Sequence, residues 1–334
     1  MPVGSHLPMR DSPSAPHTPD TPARTRSGRG AVPPPRRPPS PGARRRARGE
    51  LAAAGMFAGP GLIGLTLFTL FPIAMSLFIS FYDWPGFGER SPVGLDNYLA
   101  LAGSMRFQRV ILNTLLFTAL YVPLNLVVSL GLAVWISTMR RGRQTLRVIF
   151  FIPVITPIVA NVLVWRMIYQ PEGAIDGLFQ VFGATAPNFL GDENWAMAAL
   201  VAMSVWQGFG YNMLVFSAAI DNIPRSLTEA ASLDGAGAWA RFRHITLPMI
   251  SPAIFFASTM TLITTFQVFA QPYLLTGGGP GLATETLVLF IYRQGFSAYA
   301  LGAAAAAGWI LFLLIFIVTA VQFAAQRKWV NYDV

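Results

Sequence analysis

Six long apolar runs are the feature that most constrains this chain of 334 residues. Each run has at least about 20 residues, the length of a helix that crosses a hydrocarbon core of roughly 30 Å. Only 12% of the residues are charged, against about 25% in a soluble domain. The pattern predicts an all-α membrane protein with six transmembrane helices, at about 56–81, 110–136, 148–168, 196–220, 250–274 and 303–323.

Four prolines fall inside or near these runs, at Pro72, Pro123, Pro153 and Pro157. A proline inside a helix removes a backbone hydrogen bond, and neighbouring helices in a bundle can satisfy the carbonyl that it frees. The prolines therefore predict kinks within the spans.

Basic residues concentrate on one side of the predicted membrane. Nineteen of the 24 Lys and Arg residues fall in 1–50, in the loops 137–147 and 221–248, and in the end from 324. The opposite loops carry eight of the carboxylates. Because Lys- and Arg-rich loops remain in the cytoplasm, both termini of this multi-pass plasma-membrane protein are predicted to be cytoplasmic.

The first 50 residues differ in composition from the remainder. They contain twelve prolines and ten arginines, and so few large apolar residues that burial cannot offset the entropy of ordering them. Residues 1–50 are therefore predicted to be a disordered cytoplasmic tail, whose arginines favour membrane lipid over nucleic acid as a partner. The first transmembrane helix and an external loop follow at 51–108, the main helical core at 109–323, and the cytoplasmic C-terminus at 324–334.

The residues needed for several kinds of chemistry are missing from the sequence. There is no cysteine, and only one of three histidines, His244, lies outside the tail. The single lysine, Lys328, is next to the C-terminus, so the chain has no phosphate-binding loop with which to hydrolyse ATP. Catalytic residues, a metal site and a cofactor are therefore not expected, and the chain is predicted not to be an enzyme.

The predicted cytoplasmic loop 221–248 has the pattern of a short helix, a turn and a second short helix. Ser226 is predicted to cap the first helix, with Glu229 at the capping-box spacing. Gly235 permits the turn, and Pro248 suits the start of the following helix. From spacing alone, docking on another protein and lying on the membrane surface are equally good interpretations.

A family resemblance decides between these two interpretations. The loop resembles the EAA motif of permeases in binding-protein-dependent ABC importers, in which this segment is the coupling helix that docks on the ATPase subunit. The resemblance implies that Glu229 meets a basic group there. The residues implied in ATPase coupling are Glu229, Ala230, Ala231, Asp234, Gly235, Ile245, Leu247 and Pro248.

Further segments resemble the first permease subunit of the maltose and glycerol-3-phosphate group. They are the stretches 94–98, 147–169, 276–287 and 329–334, together with Asn113 and Thr114. The resemblance covers roughly residues 56–334 and implies the type I ABC importer permease fold. It also implies three partners: a second homologous permease subunit, a cytoplasmic ATPase dimer and an extracellular solute-binding protein.

Polar and aromatic residues within the spans are predicted to line a substrate pathway, because such residues face the interior of a membrane bundle. The alternative role for each is a hydrogen bond between helices. Amides beside aromatic rings suit a neutral sugar or polyol, while glycerol phosphate and a secondary transporter remain as alternatives. The predicted pathway residues are Trp206, Gln207, Tyr211, Asn212, Thr264 and Gln267.

Overall fold

The computed structural model describes residues 41–86 and 88–326. Residues 1–40 of the predicted tail, and the end at 327–334 with the 329–334 stretch, lie outside the described residues. The chain divides into two units, Met1–Ile63 and Gly64–Val334, and every contact reported below lies within the second unit.

The described residues are almost entirely helical. A two-residue antiparallel pair, β1 (Tyr82–Asp83) with β2 (Ser91–Pro92), is the sheet they contain. Three π-helical turns, Thr66–Leu70, Phe242–Thr246 and Arg293–Ser297, join consecutive helices. The α-helices are α1 (Pro41–Leu65), α2 (Phe71–Ile79), α3 (Asp96–Gly103), α4 (Met105–Thr138), α5 (Arg143–Ile155), α6 (Ile158–Tyr169), α7 (Ala174–Val181), α8 (Glu193–Asp221), α9 (Arg225–Leu233), α10 (Ala238–Arg241), α11 (Leu247–Met249), α12 (Ser251–Phe266), α13 (Ala270–Leu275), α14 (Leu287–Tyr292) and α15 (Leu301–Gln326).

Counting each of two bent helix pairs as one span gives the six spans predicted. Among the described residues, four helices are long and apolar enough to cross a membrane: Ala53–Ile79, α4, α8 and α15. Two bent pairs bring the number to six, α5 with Ile158–Val181 at 93° and Ala238–Met249 with α12 at 66°. The first helix begins at Pro41, so the last ten residues of the predicted tail are helical. Proline is tolerated in a first turn, and the Ala and Arg residues that follow favour helix.

The sharpest bend lies at the prolines of the third span. Pro157 has no N–H, so it cannot bond to the carbonyl of Pro153 four residues earlier. The side-chain amide of Asn161 donates to that carbonyl over 3.0 Å, and Asn161 is itself buried. The structure thus satisfies the freed carbonyl internally, as a lipid environment requires. Pro123, in contrast, lies within the unbroken α4.

The fifth span ends earlier than the predicted 250–274. The helix α12 stops at Phe266, and the separate short helix α13 begins at Ala270. In the gap, the hydroxyl of Thr286 donates to the carbonyl of Val268 over 3.0 Å. The residue four positions after Val268 is Pro272, which has no N–H, so a continued helix would leave this carbonyl unpaired and Thr286 supplies its donor.

The core of the second unit lies where α4 crosses α8, with α5 and α12 beside them. One apolar cluster joins Phe117 on α4 to Met203 on α8. A second cluster, at the other end of α4, joins Ile136 to Phe216 and to Ala257 on α12. Small residues allow the close approach, since a Cβ at Gly210 would overlap the backbone of α5 at Phe150. This packing holds α8 rigidly at the centre of the subunit.

The GLDNY stretch at 94–98 closes the outer end of the first span. Asn97 donates its side-chain amide to the carbonyls of Ser80 and Tyr82, over 2.9 and 3.0 Å. The hydroxyls of Tyr98 and Ser80 lie 2.7 Å apart. These bonds satisfy backbone groups where α2 ends, which gives a physical role to the residues that carry the family resemblance.

The loop 276–286 between α13 and α14 is fixed by a buried carboxylate. Glu285 has a fully buried side chain and accepts hydrogen bonds from Arg106 at 2.6 and 3.0 Å and from Arg293 at 2.6 Å. Asn113 donates to the carbonyls of Leu282 and Glu285, and the hydroxyl of Thr114 accepts from the Leu287 N–H. The head of α4 therefore holds the whole loop in place.

Two opposing effects act on the carboxyl of Glu285. Burial alone would raise its pKa, but hydrogen bonds and charges from Arg106 and Arg293 hold the pKa below the ordinary value of 4.5. Glu285 is therefore ionised in the folded protein. A carboxyl whose pKa is lower in the folded than in the unfolded protein stabilises the folded state at pH values above its unfolded-state pKa. This stabilisation is lost as the pH falls through the folded-state pKa.

We expect Glu285→Gln to lower the free energy of unfolding at pH 7 by about 1–3 kcal/mol. This is less than for a fully buried pair, because both guanidiniums are partly exposed. Tryptophan fluorescence during heating of the detergent-solubilised protein measures the change. The difference from wild type should shrink as the pH falls below 4.5, and Glu89→Gln, on the exposed surface, serves as the control. Equal unfolding midpoints at pH 7 would contradict the role given to Glu285.

Candidate functional site

The first helix of the loop 221–248 does not begin as the capping-box pattern predicts. The N-cap residue of α9 is Pro224, and no side chain caps the helix. Ser226 therefore lies one residue inside the helix, and its prediction as the cap is wrong. The fixed φ of Pro224, −57°, suits the entry to a helix, and its ring nitrogen carries no N–H that would need a partner.

The turn after this helix has the geometry that Gly235 predicts. Asp234 is the C-cap residue, and Gly235 follows with φ +79°. The N–H of Ala236 donates to the carbonyl of Ala231 over 2.9 Å, and the N–H of Gly235 donates to that of Ser232 over 3.2 Å. This pair of bonds is the Schellman motif, which requires a left-handed residue that glycine adopts without strain.

The acidic and small residues of the motif lie on the surface. Glu229, Ala230, Asp234 and Gly235 are exposed, and Ala231 is half-buried. Within 41–86 and 88–326, neither Glu229 nor Asp234 forms an ion pair. Both carboxylates are thus available to basic groups on another protein, and the exposed alanine and glycine permit close approach to the backbone.

The second half of the loop runs directly into the fifth span. The helix α10 and the π turn Phe242–Thr246 continue into α11, in which Pro248 lies in the first turn. Ile245, Leu247 and Pro248 are half-buried. They pack this segment against the rest of the subunit, while most residues of α9 are exposed. The chain from α9 therefore reaches α12 through the turn at 234–237 and the 66° bend before Ser251.

Three apolar side chains of this loop are exposed, although the sequence analysis did not single them out. Leu233 is 90% exposed, Trp239 70% and Leu227 42%. Exposed apolar side chains grouped beside free carboxylates are typical of a protein interface. The sequence feature that could have identified these side chains is the presence of Leu and Trp in a stretch predicted to lie outside the membrane.

An ion pair ties the start of this loop to the third span. Arg147 of α5 donates to Asp221, the last residue of α8, over 2.8 Å. The Arg147 side chain is 17% exposed and that of Asp221 40%, so solvent partly screens the pair. The loop therefore departs from a fixed point.

The predicted pathway residues fall into two environments. Thr264 and Gln267 line a cavity of about 360 Å³ with Tyr121 and Gln271. The Gln271 amide donates to the Gln207 side-chain oxygen over 3.4 Å, which brings Gln207 to the same cavity. Among the described residues that line this cavity, Tyr121 is the one with an ionisable side chain, and amides and hydroxyls supply the other polar groups.

Trp206, Tyr211 and Asn212 lie apart from that cavity wall. Trp206 packs edge-on against Trp165, with ring centroids 5.6 Å apart, and Tyr211 is exposed on α8. Asn212 is buried and donates to Asn125 over 2.7 Å and to Thr261 over 2.8 Å. These contacts of Asn212 join α8 to α4 and α12, the helix-joining role that the sequence analysis set beside a pathway role.

Comparison with known proteins identifies the family. Residues 126–331 match the family model of the binding-protein-dependent transport system inner membrane component. Permease protein UgpA of the sn-glycerol-3-phosphate transport system from Yersinia enterocolitica is 37% identical over 278 residues, which cover 82% of this chain and 94% of UgpA. AmyD, a probable starch degradation products transport system permease protein from Thermoanaerobacterium thermosulfurigenes, is 30% identical over 277 residues, 82% of this chain and 93% of AmyD.

The fold agrees with this assignment. The crystal structure of a bacterial ABC transporter involved in the import of the acidic polysaccharide alginate superposes with a TM-score of 0.75. The superposition covers 85% of this chain and 99% of the other, at 23% identity. The predicted ABC importer permease fold is thereby confirmed, and the secondary-transporter alternative is set aside. The chain belongs to the family of binding-protein-dependent transport system inner membrane components, as a permease embedded in the inner membrane.

Proposed function

We propose that this permease forms half of the translocation pathway for a neutral sugar or related polyol, and that the segment 221–248 couples it to ATP hydrolysis in a separate subunit. The exposed Schellman turn with its free carboxylates is the observation that supports the coupling role. The polar cavity at Thr264, Gln267 and Gln271 supports the pathway role. The proposed partners are a homologous permease subunit, a cytoplasmic ATPase dimer and an external solute-binding protein.

The proposed coupling follows from the shape of the loop. A partner that binds α9 contacts the carboxylates of Glu229 and Asp234. It also contacts the apolar surface of Leu233 and Trp239. Movement of the partner is passed through α10 and α11 to α12, which carries Thr264 at the cavity. ATP binding and solute access are then two sites that share a coupling free energy.

The nature of the solute is supported by the chemistry of the cavity. Amide and hydroxyl groups both donate and accept hydrogen bonds, as the hydroxyls of a sugar require, and aromatic rings offer an apolar surface. The cavity at Thr264 is lined by no Arg or Lys, and a phosphate needs such a partner. Glycerol phosphate is the second candidate, because UgpA, a glycerol-3-phosphate permease, is 37% identical.

We expect Gly235→Arg and Glu229→Lys to reduce co-purification with the ATPase and to lower uptake by at least about tenfold, a coupling loss of roughly 1.4 kcal/mol. Arginine at φ +79° strains the turn and blocks the close approach, while Glu229→Lys reverses the charge. Gly237→Ala is the matched control, since Gly237 has φ −64° and open space around its Cα. Normal co-purification and uptake by Gly235→Arg would overturn the proposal.

Cytoplasmic placement of the segment 221–248 and of both termini is proposed from the distribution of basic residues. Because the chain has no cysteine, Ser226→Cys and Ser91→Cys each introduce one reactive thiol. In intact cells, an impermeant maleimide should label the Ser91→Cys variant and should label the Ser226→Cys variant only after permeabilisation. The reverse pattern would contradict the orientation.

We expect the cognate solute-binding protein to bind neutral sugars, and Gln267→Leu to lower uptake of the bound sugar by at least about fivefold, since one hydrogen-bonding amide is lost. Gln108→Leu, on the surface near the start of α4, is the control. Calorimetric titration of the binding protein and uptake in cells provide the two measurements. A binding protein that takes only charged solutes would reject the assignment.

A further inference from the structure

A second polar cavity lies between α6 and α8, in the segment that contains α7. It has a volume of about 210 Å³, and its lining includes Tyr169, Gln170, Asp176, Thr185, Asn188 and Phe189. None of these residues contributes to the cavity at Thr264. The volume is below the roughly 300–1,000 Å³ of sites for drug-sized ligands, so it suits a single small ring.

One wall of this cavity is a rigid aromatic cluster. The Phe189 ring packs against Tyr169 and Trp195, with centroid distances of 5.4 and 5.8 Å. Tyr169 is anchored by its hydroxyl, which donates to the carbonyl of Ala199 over 3.0 Å. Aromatic surface held in this way offers a flat apolar wall to the C–H face of a ring.

The cavity lining also contains the carboxylate of Asp176 and the amide of Asn188, which can form further hydrogen bonds. Oδ2 of Asp176 accepts from the Glu172 N–H at 3.0 Å and from Gln180 at 3.2 Å. These bonds fix the carboxylate while Oδ1 has no hydrogen-bond donor among the described residues. Oδ1 of Asn188 accepts from the Gly191 N–H at 2.9 Å, which fixes the Asn188 amide beside that glycine, with no hydrogen bond from its NH₂ group to another described residue.

The electrostatics of the segment select against anions. Residues 170–193 contain four carboxylates and no Lys or Arg. A carboxylate accepts hydrogen bonds from sugar hydroxyls, whereas it repels a phosphate or a second carboxylate. The cavity therefore combines an aromatic wall, amides and an ordered carboxylate, with no basic group to bind an acidic solute.

We propose that this cavity is an entry subsite that binds one neutral sugar ring on the outer side of the permease, before the ring reaches the cavity at Thr264. The proposal rests on the proposed transport of a neutral sugar. It adds a second, spatially separate contact for the solute, with Gln170, Asp176 and Asn188 supplying hydrogen bonds and Phe189 the packing surface.

Saturation-transfer NMR on the importer in lipid nanodiscs, without added binding protein, tests the subsite. The probes are glucose, galactose and xylose, with glycerol-3-phosphate as the charged comparison. We expect transfer to at least one sugar, reduced at least about fivefold by the double variant Gln170→Leu with Thr185→Val. Gln108→Leu is the matched control for an amide on the surface outside the cavity and should leave the signal unchanged.

A second variant tests the subsite independently, in case the double variant loses transfer because it misfolds. Ala186→Trp fills the cavity, in whose lining Ala186 lies, and should reduce transfer at least as far as the double variant does while leaving the elution profile of the importer unchanged. No transfer from any of the three sugars, equal transfer in wild type and both variants, or a glycerol-3-phosphate signal that the variants abolish would each overturn the proposal.

Gln267→Leu separates this subsite from the proposed function. It should lower uptake while leaving unchanged the part of the saturation transfer that the double variant removes, because Gln267 lies in the other cavity. If Gln267→Leu leaves uptake unchanged, the pathway assignment fails while the NMR result still decides the subsite. If Gln267→Leu and the double variant remove the same transfer signal, the two cavities do not act separately and the subsite proposal fails.

Discussion

The need to satisfy every backbone hydrogen-bonding group without water governs this structure. In a hydrocarbon environment an unsatisfied carbonyl costs several kcal/mol, so each interruption of a span must be repaired by a specific side chain. Asn161 repairs the break at Pro157, and Thr286 repairs the end of α12 by bonding to Val268. The two bent spans frame α8, and their breaks allow polar groups to reach the interior.

Elements that depend on local composition were predictable from the sequence. Apolar length locates α4, α8 and α15 to within a few residues, because a membrane helix must be long and apolar whatever its neighbours. The break at Pro157 follows from the missing N–H. The turn at Gly235 follows from the tolerance of glycine for positive φ, and the surface position of Glu229 and Asp234 agrees with their place in a polar loop.

Features that depend on tertiary packing were not predictable in the same way. The partners Arg106 and Glu285 are 179 residues apart, and neither residue type carries a pattern that joins them. The Val268 carbonyl beyond the end of α12 is paired by Thr286, which belongs to a later loop. Ser226 failed as a cap because Pro224 starts the helix earlier, and a three-residue spacing cannot distinguish a cap from a first-turn position. Asn212 could not be assigned to a pathway or to helix packing until Asn125 and Thr261 were located beside it.

The hydrogen bond from the Asn161 amide limits which residues can replace Asn161 while Pro157 is present. Pro157 and Asn161 are thermodynamically linked, since the amide is needed only while the proline leaves the Pro153 carbonyl unpaired. Replacing the proline alone would add a second donor, which the two lone pairs of the oxygen can accept, whereas replacing the asparagine alone would leave the oxygen with none. Related permeases that keep a proline at the position of Pro157 are therefore expected to keep a hydrogen-bond donor at the position of Asn161, while a permease without the proline is free to lose the donor.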